Sequence, residues 1–208
     1  MPRISHARAA AALADRDPGI AGLLDAVGPP KLRSPQGTPF VALARAICFQ
    51  QLSGKAAATI FGRFVDNVGG ELTPEAVLAT PIDDLRRAGL SNAKALSVLD
   101  LAAKVLDGTV PLHDAGKLTD DELVERLVVV RGIGRWTAEM FLIFQLRRLD
   151  VWPIDDLGVR KGYAKVYGLA TAPTPKELLV LGDAFRPYRS VAAWYMWRAT
   201  EIEALPGW

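Results

Sequence analysis

Residues 127–140 read LVVVRGIGRWTAEM. An apolar run meets Gly132-Ile133-Gly134, and a charge and a large aromatic, Arg135 and Trp136, open the segment that follows. Upstream, Thr119-Asp-Asp-Glu122 has the form of a capping box, in which the Thr hydroxyl and the Glu carboxylate each accept from an orphan backbone N–H. The valine run therefore completes a helix rather than a strand. Glycine permits positive φ and lets another backbone approach closely. The spacing predicts a helix over about 120–130, a tight turn, and a second helix leaving it. The first N–H groups of that second helix point outward, where an anion can sit. Ile133 can tuck under the turn, and Arg135 adds charge at its mouth. Such a hairpin would clamp phosphates and ignore bases. The same residues also describe a helix–helix turn with no ligand, and the motif alone does not choose.

Further out the punctuation is helical throughout. Thr38-Pro39, Thr73-Pro74, Thr80-Pro81 and Thr174-Pro175 each read as an N-cap followed by Pro at the first helical position, and Asp17-Pro18 repeats the idea. Pro has no N–H to leave unpaired there, and the capping oxygen accepts one of the orphan N–H groups. Apolar residues recur at helical spacing, as in Leu96, Leu99, Ala103 and Leu106. The expectation is an all-α chain of about ten helices and no sheet. Turn-rich stretches at 27–37 and 171–177 are the main breaks. Residues 1–208 are expected to form a single unit of two packed helical lobes with the active-site cleft between them. One lobe would run over about 38–170. The other would combine 1–37 with 171–208.

Composition narrows the function. Of the 208 residues, half are hydrophobic, and the net charge is +2. A sequence pI near 8.8 tolerates a polyanionic partner without demanding one. Cys48 is the single cysteine and His6 and His113 the only histidines. A disulfide framework, a four-cysteine iron–sulfur cluster and a cysteine zinc site are thereby excluded. No stretch approaches the ~20 apolar residues that span a bilayer, and the charged N-terminus does not read as a secretory signal. A cytoplasmic monomer is expected.

Past the hairpin, Pro153-Ile154-Asp155-Asp156 lies between an apolar helix and a basic one. Carboxylates at a helix N-terminus serve as cap and dipole partner. Adjacent helical residues diverge by about 100°, so the two aspartates cannot do the same job. One can cap while the other projects outward.

Taken together, four linked stretches resemble the helix-hairpin-helix DNA glycosylases, and most of all the alkylbase glycosylases of the AlkA type. They are ICFQQLSGKAAATIFGRF (47–64), GLSNAKALSVLDLA (89–102), the hairpin with its following Pro153 and aspartate, and FRPYRSVAAWYMW (185–197). The resemblance covers roughly residues 38–200, in the family's order. Larger members carry an N-terminal β-domain for which this chain is too short, so it resembles the compact, all-helical branch.

The resemblance implies a role for each motif. Asp156 would be the catalytic aspartate, because Asp-Leu-Gly (156–158) matches the compact members' pattern. Asp155 is the fallback and the expected helix cap. Trp136 stands where bifunctional relatives carry a lysine that forms a Schiff base with the sugar, so a monofunctional hydrolase is implied. Trp136 would line a base pocket together with Met140, Phe185 and Trp194. Met140 departs from the tyrosine of larger members, which bears on substrate range. Gln51 would fill the gap left by a flipped nucleotide, with Gln50 near the minor groove and Ser53 capping the next helix. Gly132, Ile133, Gly134, Arg135 and Thr137 form the hairpin contact. Lys55, Arg160, Lys161 and Arg189 are candidate phosphate contacts. The carbonyls of Val128, Val130 and Ile133 would hold a structural Na or K ion; no other cofactor is implied.

The expected activity is release of alkylated purines, of the 3-methyladenine type, from duplex DNA, initiating base excision repair. A glycosylase/lyase for oxidised bases is disfavoured by Trp136 and by the missing cluster cysteines. A catalytically silent DNA-binding hairpin protein would need neither the aspartate pair nor the aromatics.

Overall fold

The structure, a computed structural model, describes residues 4–32, 34, 35 and 37–202. It contains twelve α-helices: α1 (His6–Ala14), α2 (Pro18–Val27), α3 (Pro39–Phe49), α4 (Gly54–Asn67), α5 (Pro74–Ala79), α6 (Ile82–Arg87), α7 (Asn92–Leu106), α8 (Asp120–Val128), α9 (Arg135–Phe144), α10 (Leu157–Val166), α11 (Pro175–Leu181) and α12 (Arg189–Glu201). Two 3-10 turns, Leu112–Lys117 and Gly182–Phe185, complete the order. Among the described residues there is no strand, and the chain is all-α. No helix among them is long and apolar enough to cross a membrane.

The capping residues act as their chemistry dictates. Asp17, Thr38, Thr73 and Thr174 each accept a backbone N–H from the first turn, with Pro opening the helix. Thr119 and Glu122 close the expected capping box on α8. Thr80-Pro81 departs from the pattern. Pro81 is itself the cap position of α6, and the Thr80 hydroxyl turns back to donate to Ala76 O at 2.8 Å, closing α5. The valine run is helical only to Val128; Val129 and Val130 already belong to the turn.

The chain divides into two compact units, residues 34–141 and residues 1–33 with 142–208. Residues 1–3, 33 and 203–208, which were expected to form part of the terminal lobe, lie outside the described residues, as does residue 36. The boundary expected near 170 falls at 141/142. The physical reason is the crossing of α10 and α12. A Cβ added to Gly162 would lie 1.9 Å from the Met196 carbonyl oxygen, so at this point the two helices meet backbone to backbone. Val159, Tyr163 and Val166 of α10 join Leu13, Ile20, Leu23, Tyr195 and Met196 in one core. Asp156, at the head of α10, is therefore carried by the unit that contains both termini. In the other unit Leu43, Ile47, Phe64, Leu101, Leu123 and Leu127 are fully buried.

Candidate active site

Within residues 34–141 the hairpin is held from below. Gly132 has φ +78°, and a Cβ there would come within 2.7 Å of Ser97 Oγ. Both the backbone angle and the close neighbour require glycine. Ile133 is buried under the turn, and its N–H donates to Val130 O at 3.1 Å. Gly134 is different, since a Cβ there would meet nothing within 4 Å. Its surface is open to an approaching backbone.

The Arg131 N–H donates to Asp100 Oδ2 at 2.7 Å, and Lys104 pairs with the other oxygen. Burial pushes the Asp100 carboxyl up, yet the Arg131 N–H and the Lys104 ammonium hold it below its ordinary range. The sign follows from the depressed folded value. The anchorage is complete above the unfolded value of 3.8 and is lost as pH falls through the lower folded value. Amide exchange at Arg131, corrected for intrinsic rates, should show constant protection between pH 7 and pH 5. Asp100→Asn should lower that protection about tenfold at pH 7; protection that varies with pH in this interval would contradict the assignment.

Arg135 opens α9, and its Nε donates to Glu139 Oε1 at 2.9 Å. The charge at the hairpin mouth is thus tethered to a buried carboxylate. Trp136 is 49 % exposed, so about half of its side chain lies open at the surface beside the hairpin. Thr137 and Met140 are half-buried on the same helix.

Between α3 and α4 the chain makes an exposed tip. Gln51 has φ +56° and, like Ser53 and Lys55, is exposed. The Gln50 side chain does not point freely outward as a groove contact would; its Nε2 donates to Gly132 O at 2.8 Å. Ser53 occupies the cap position of α4 as expected, but its hydroxyl makes no capping bond. Burial pushes the Cys48 thiol up to about 12, so it offers no thiolate nucleophile.

In the unit that holds both termini, the division of labour between the aspartates differs from expectation. Asp156, not Asp155, caps α10: its Oδ1 accepts from Val159 N at 2.8 Å. Asp155 is exposed, one residue outside the cap. The same Oδ1 accepts the indole N–H of Trp197 at 2.8 Å. Trp197 stacks on Phe144, with ring centroids 5.6 Å apart and planes 27° from parallel. Gly158 makes room for this contact, since a Cβ there would lie 2.8 Å from Trp197 Cδ1. Asp156 is 9 % exposed, a carboxylate oriented by two N–H donors on one oxygen.

Two sequence expectations, for Phe185 and Arg189, are corrected in this unit. Phe185 is not a pocket wall: it is 1 % exposed and packs against Trp152, Tyr163 and Tyr167. Trp194 packs edge-on against Tyr195, with the Arg198 guanidinium 5.5 Å from its ring. The aromatic that touches Asp156 is Trp197, three residues further on. Arg189 is not available to a phosphate, because its Nε and Nη2 both donate to Asp150. Arg160 donates from Nε to Pro173 O at 2.6 Å, whereas Lys161 is exposed. Phe144 and Trp197 were missed because their partnership depends on two helices more than fifty residues apart. The only signal was the aromatic density of 185–197.

The structure thus holds a Gly-x-Gly hairpin, an exposed Trp just after it, and an aspartate capping the helix after the following Pro, the motifs that carry the resemblance to the helix-hairpin-helix DNA glycosylases. The sequence matches the HhH-GPD superfamily of base excision DNA repair proteins over residues 44–183, and the chain belongs to that family. Among its relatives, DNA-3-methyladenine glycosylase 1 of Schizosaccharomyces pombe is 40% identical over 167 residues, covering 79% of this chain and 73% of that one. The alkylbase DNA glycosidase-like protein mag2 of the same organism is 31% identical, covering 95% of both. A solved structure of the S. pombe 3-methyladenine DNA glycosylase in complex with abasic DNA superposes with a TM-score of 0.79 at 37% identity, covering 94% of this chain and 98% of that one.

Proposed function

We propose that the protein is a monofunctional DNA N-glycosylase that acts as a monomer on duplex DNA, flips out alkylated purines and hydrolyses the bond between base and sugar. The observation that carries this reading is the Asp156 carboxylate, oriented on one oxygen by the Val159 N–H and the Trp197 indole, in a chain of this family. Cleavage of an N-glycosidic bond develops oxocarbenium-like charge on the sugar. A fixed carboxylate beside that sugar stabilises the charge and orients the attacking water. An alkylated purine is already cationic and departs without a second general acid. Trp136, which carries no nucleophilic amine, leaves hydrolysis rather than lyase chemistry.

The hairpin supplies phosphate contact through the open face of Gly134 and the N–H groups at the head of α9. The carbonyls of Val128, Val130 and Ile133 are hard oxygen donors of the kind an alkali cation takes. Val130 O already accepts the Ile133 N–H, and a carbonyl keeps a second lone pair. A structural Na or K ion there would bridge the turn to a phosphate.

Release of free base from methylated duplex DNA, without strand nicking until alkali is added, tests the reading. Nicking without alkali would point to a lyase, and binding without base release to a silent clamp.

Trp136→Ala is expected to lower release of cationic 3-methyladenine more than release of neutral hypoxanthine. The indole face attracts only the charged base through its quadrupole, by about 0.5–2 kcal/mol, whereas lost stacking area affects both. The difference should be roughly two- to thirtyfold in relative rate. Equal losses on the two bases would return Trp136 to a purely steric role.

A further inference from the structure

One face of α7 holds the two DNA-reading segments of its unit together. Lys94, Ser97 and Asp100 recur at three-residue spacing, so they form a slanting row along the helix. Asp100 accepts the Arg131 N–H at the start of the hairpin turn. Ser97 lies under Gly132. Lys94 reaches the tip between α3 and α4, donating to Cys48 O at 2.9 Å and to Gln50 O at 2.7 Å. These carbonyls sit at the C-terminal end of α3, where helical acceptors have no helical donor and the dipole favours a cation. The backbone N–H groups nearby supply little, since Gln50 N and Leu52 N make long bonds of 3.4 Å each. The very next residue, Gln51, holds a left-handed φ of +56°, an uncommon conformation for a non-glycine residue, held at a cost in backbone energy. Gln50 then ties the tip to the hairpin through Gly132 O.

We propose that Lys94 is a positioning residue for base flipping: by gripping the Cys48 and Gln50 carbonyls it imposes the left-handed turn that projects Gln51, and it fixes that projection in register with the hairpin. Lys94 itself touches neither the base nor the sugar. The proposal rests on the reading of the chain as a base-flipping glycosylase with Gln51 as the inserted side chain. It explains why a lysine in a motif shared with the DNA glycosylases has its ammonium turned onto protein carbonyls rather than toward phosphate.

The test uses the full chain and a duplex carrying a tetrahydrofuran abasic analogue with 2-aminopurine beside it, whose fluorescence rises on unstacking. Lys94→Met keeps the apolar stem and removes the donor. It should lower the fluorescence rise to the level of Gln51→Ala and slow single-turnover base release about tenfold, with melting temperature near wild type. Combined with Gln51→Ala it should cause no further loss, because both act on one step. Lys94→Arg, which keeps charge and donors, should restore most of the signal. Additive losses in the double variant, or a full fluorescence rise in Lys94→Met, would overturn the proposal. So would a Gln51→Ala variant indistinguishable from wild type. Should Lys94→Met fail to fold, Lys94→Leu, which likewise has no donor for the Cys48 and Gln50 carbonyls, carries the same comparison. The abasic duplex needs no base release, so an inactive wild type would refute the glycosylase reading while the fluorescence still decides the role of Lys94.

Discussion

Asp156→Asn is expected to remove nearly all base release, lowering the single-turnover rate on the order of 10²–10³-fold, with fold and DNA affinity almost unchanged. The substitution is isosteric, and Asn caps helices about as well as Asp. Its carbonyl oxygen can still accept from Val159 N and from the Trp197 indole, two bonds that orient Asp156. What disappears is the negative charge that the proposed mechanism sets beside a sugar becoming positive in the transition state. The loss should therefore appear in the rate of chemistry and not in binding to an abasic-site duplex. A rapid-quench measurement on methylated DNA reads it directly. If Asp156→Asn stays active while Asp155→Asn is inactive, the roles of the two aspartates are reversed.

The largest effect on stability is expected from Gly162→Ala. The added methyl would sit 1.9 Å from Met196 O and 2.8 Å from Met196 Cα. These are backbone atoms, so no side chain can swing away, and α10 and α12 must separate. Overpacking of this kind costs about 3 kcal/mol or more, which corresponds to a fall in melting temperature of roughly 6–12 °C for a chain of this size. Gly62→Ala in α4 is the control. A Cβ there meets nothing within 4 Å, and Ala is the better helix former by about 1 kcal/mol. Gly62→Ala should melt at or slightly above the wild-type temperature. A Gly162→Ala variant as stable as wild type would mean that the two helices do not cross in contact. Because Asp156 heads α10 and Trp197 lies on α12, a folded but loosened Gly162→Ala should also lose activity.

Much of this architecture was legible in the sequence because its determinants are local. A Thr or Asp followed by Pro caps a helix through atoms within three residues, and the structure shows this at Asp17, Thr38, Thr73 and Thr174. The capping box at Thr119 and the periodic apolar residues of α7 belong to the same class. So does the Gly132-Ile133-Gly134 turn, in which glycine supplies a positive φ and isoleucine the buried anchor. The linked motifs that placed the chain among the excision-repair glycosylases were short and in a fixed order. The lysine missing at Trp136 spoke for hydrolysis.

What the sequence could not decide were the choices between equivalent local partners. Asp155 and Asp156 are both competent caps. Asp156 takes the role because the Trp197 indole, forty-one residues away, reaches the same oxygen across a gap that Gly158 leaves open. Phe185 and Trp197 are aromatics of one stretch, yet one is sealed in the core and the other touches the carboxylate. Arg189 reads as a free cation until Asp150 closes on it, and nothing in the sequence singles out Lys94, whose partners are the carbonyls ending α3. Nor could the boundary at 141/142 be read from turn-rich segments, since it depends on α10 meeting α12 backbone to backbone. Caps, periods and turns are set by neighbours along the chain. Burial, ion pairing and the orientation of a carboxylate are set by neighbours in space, which exist only once the helices have packed.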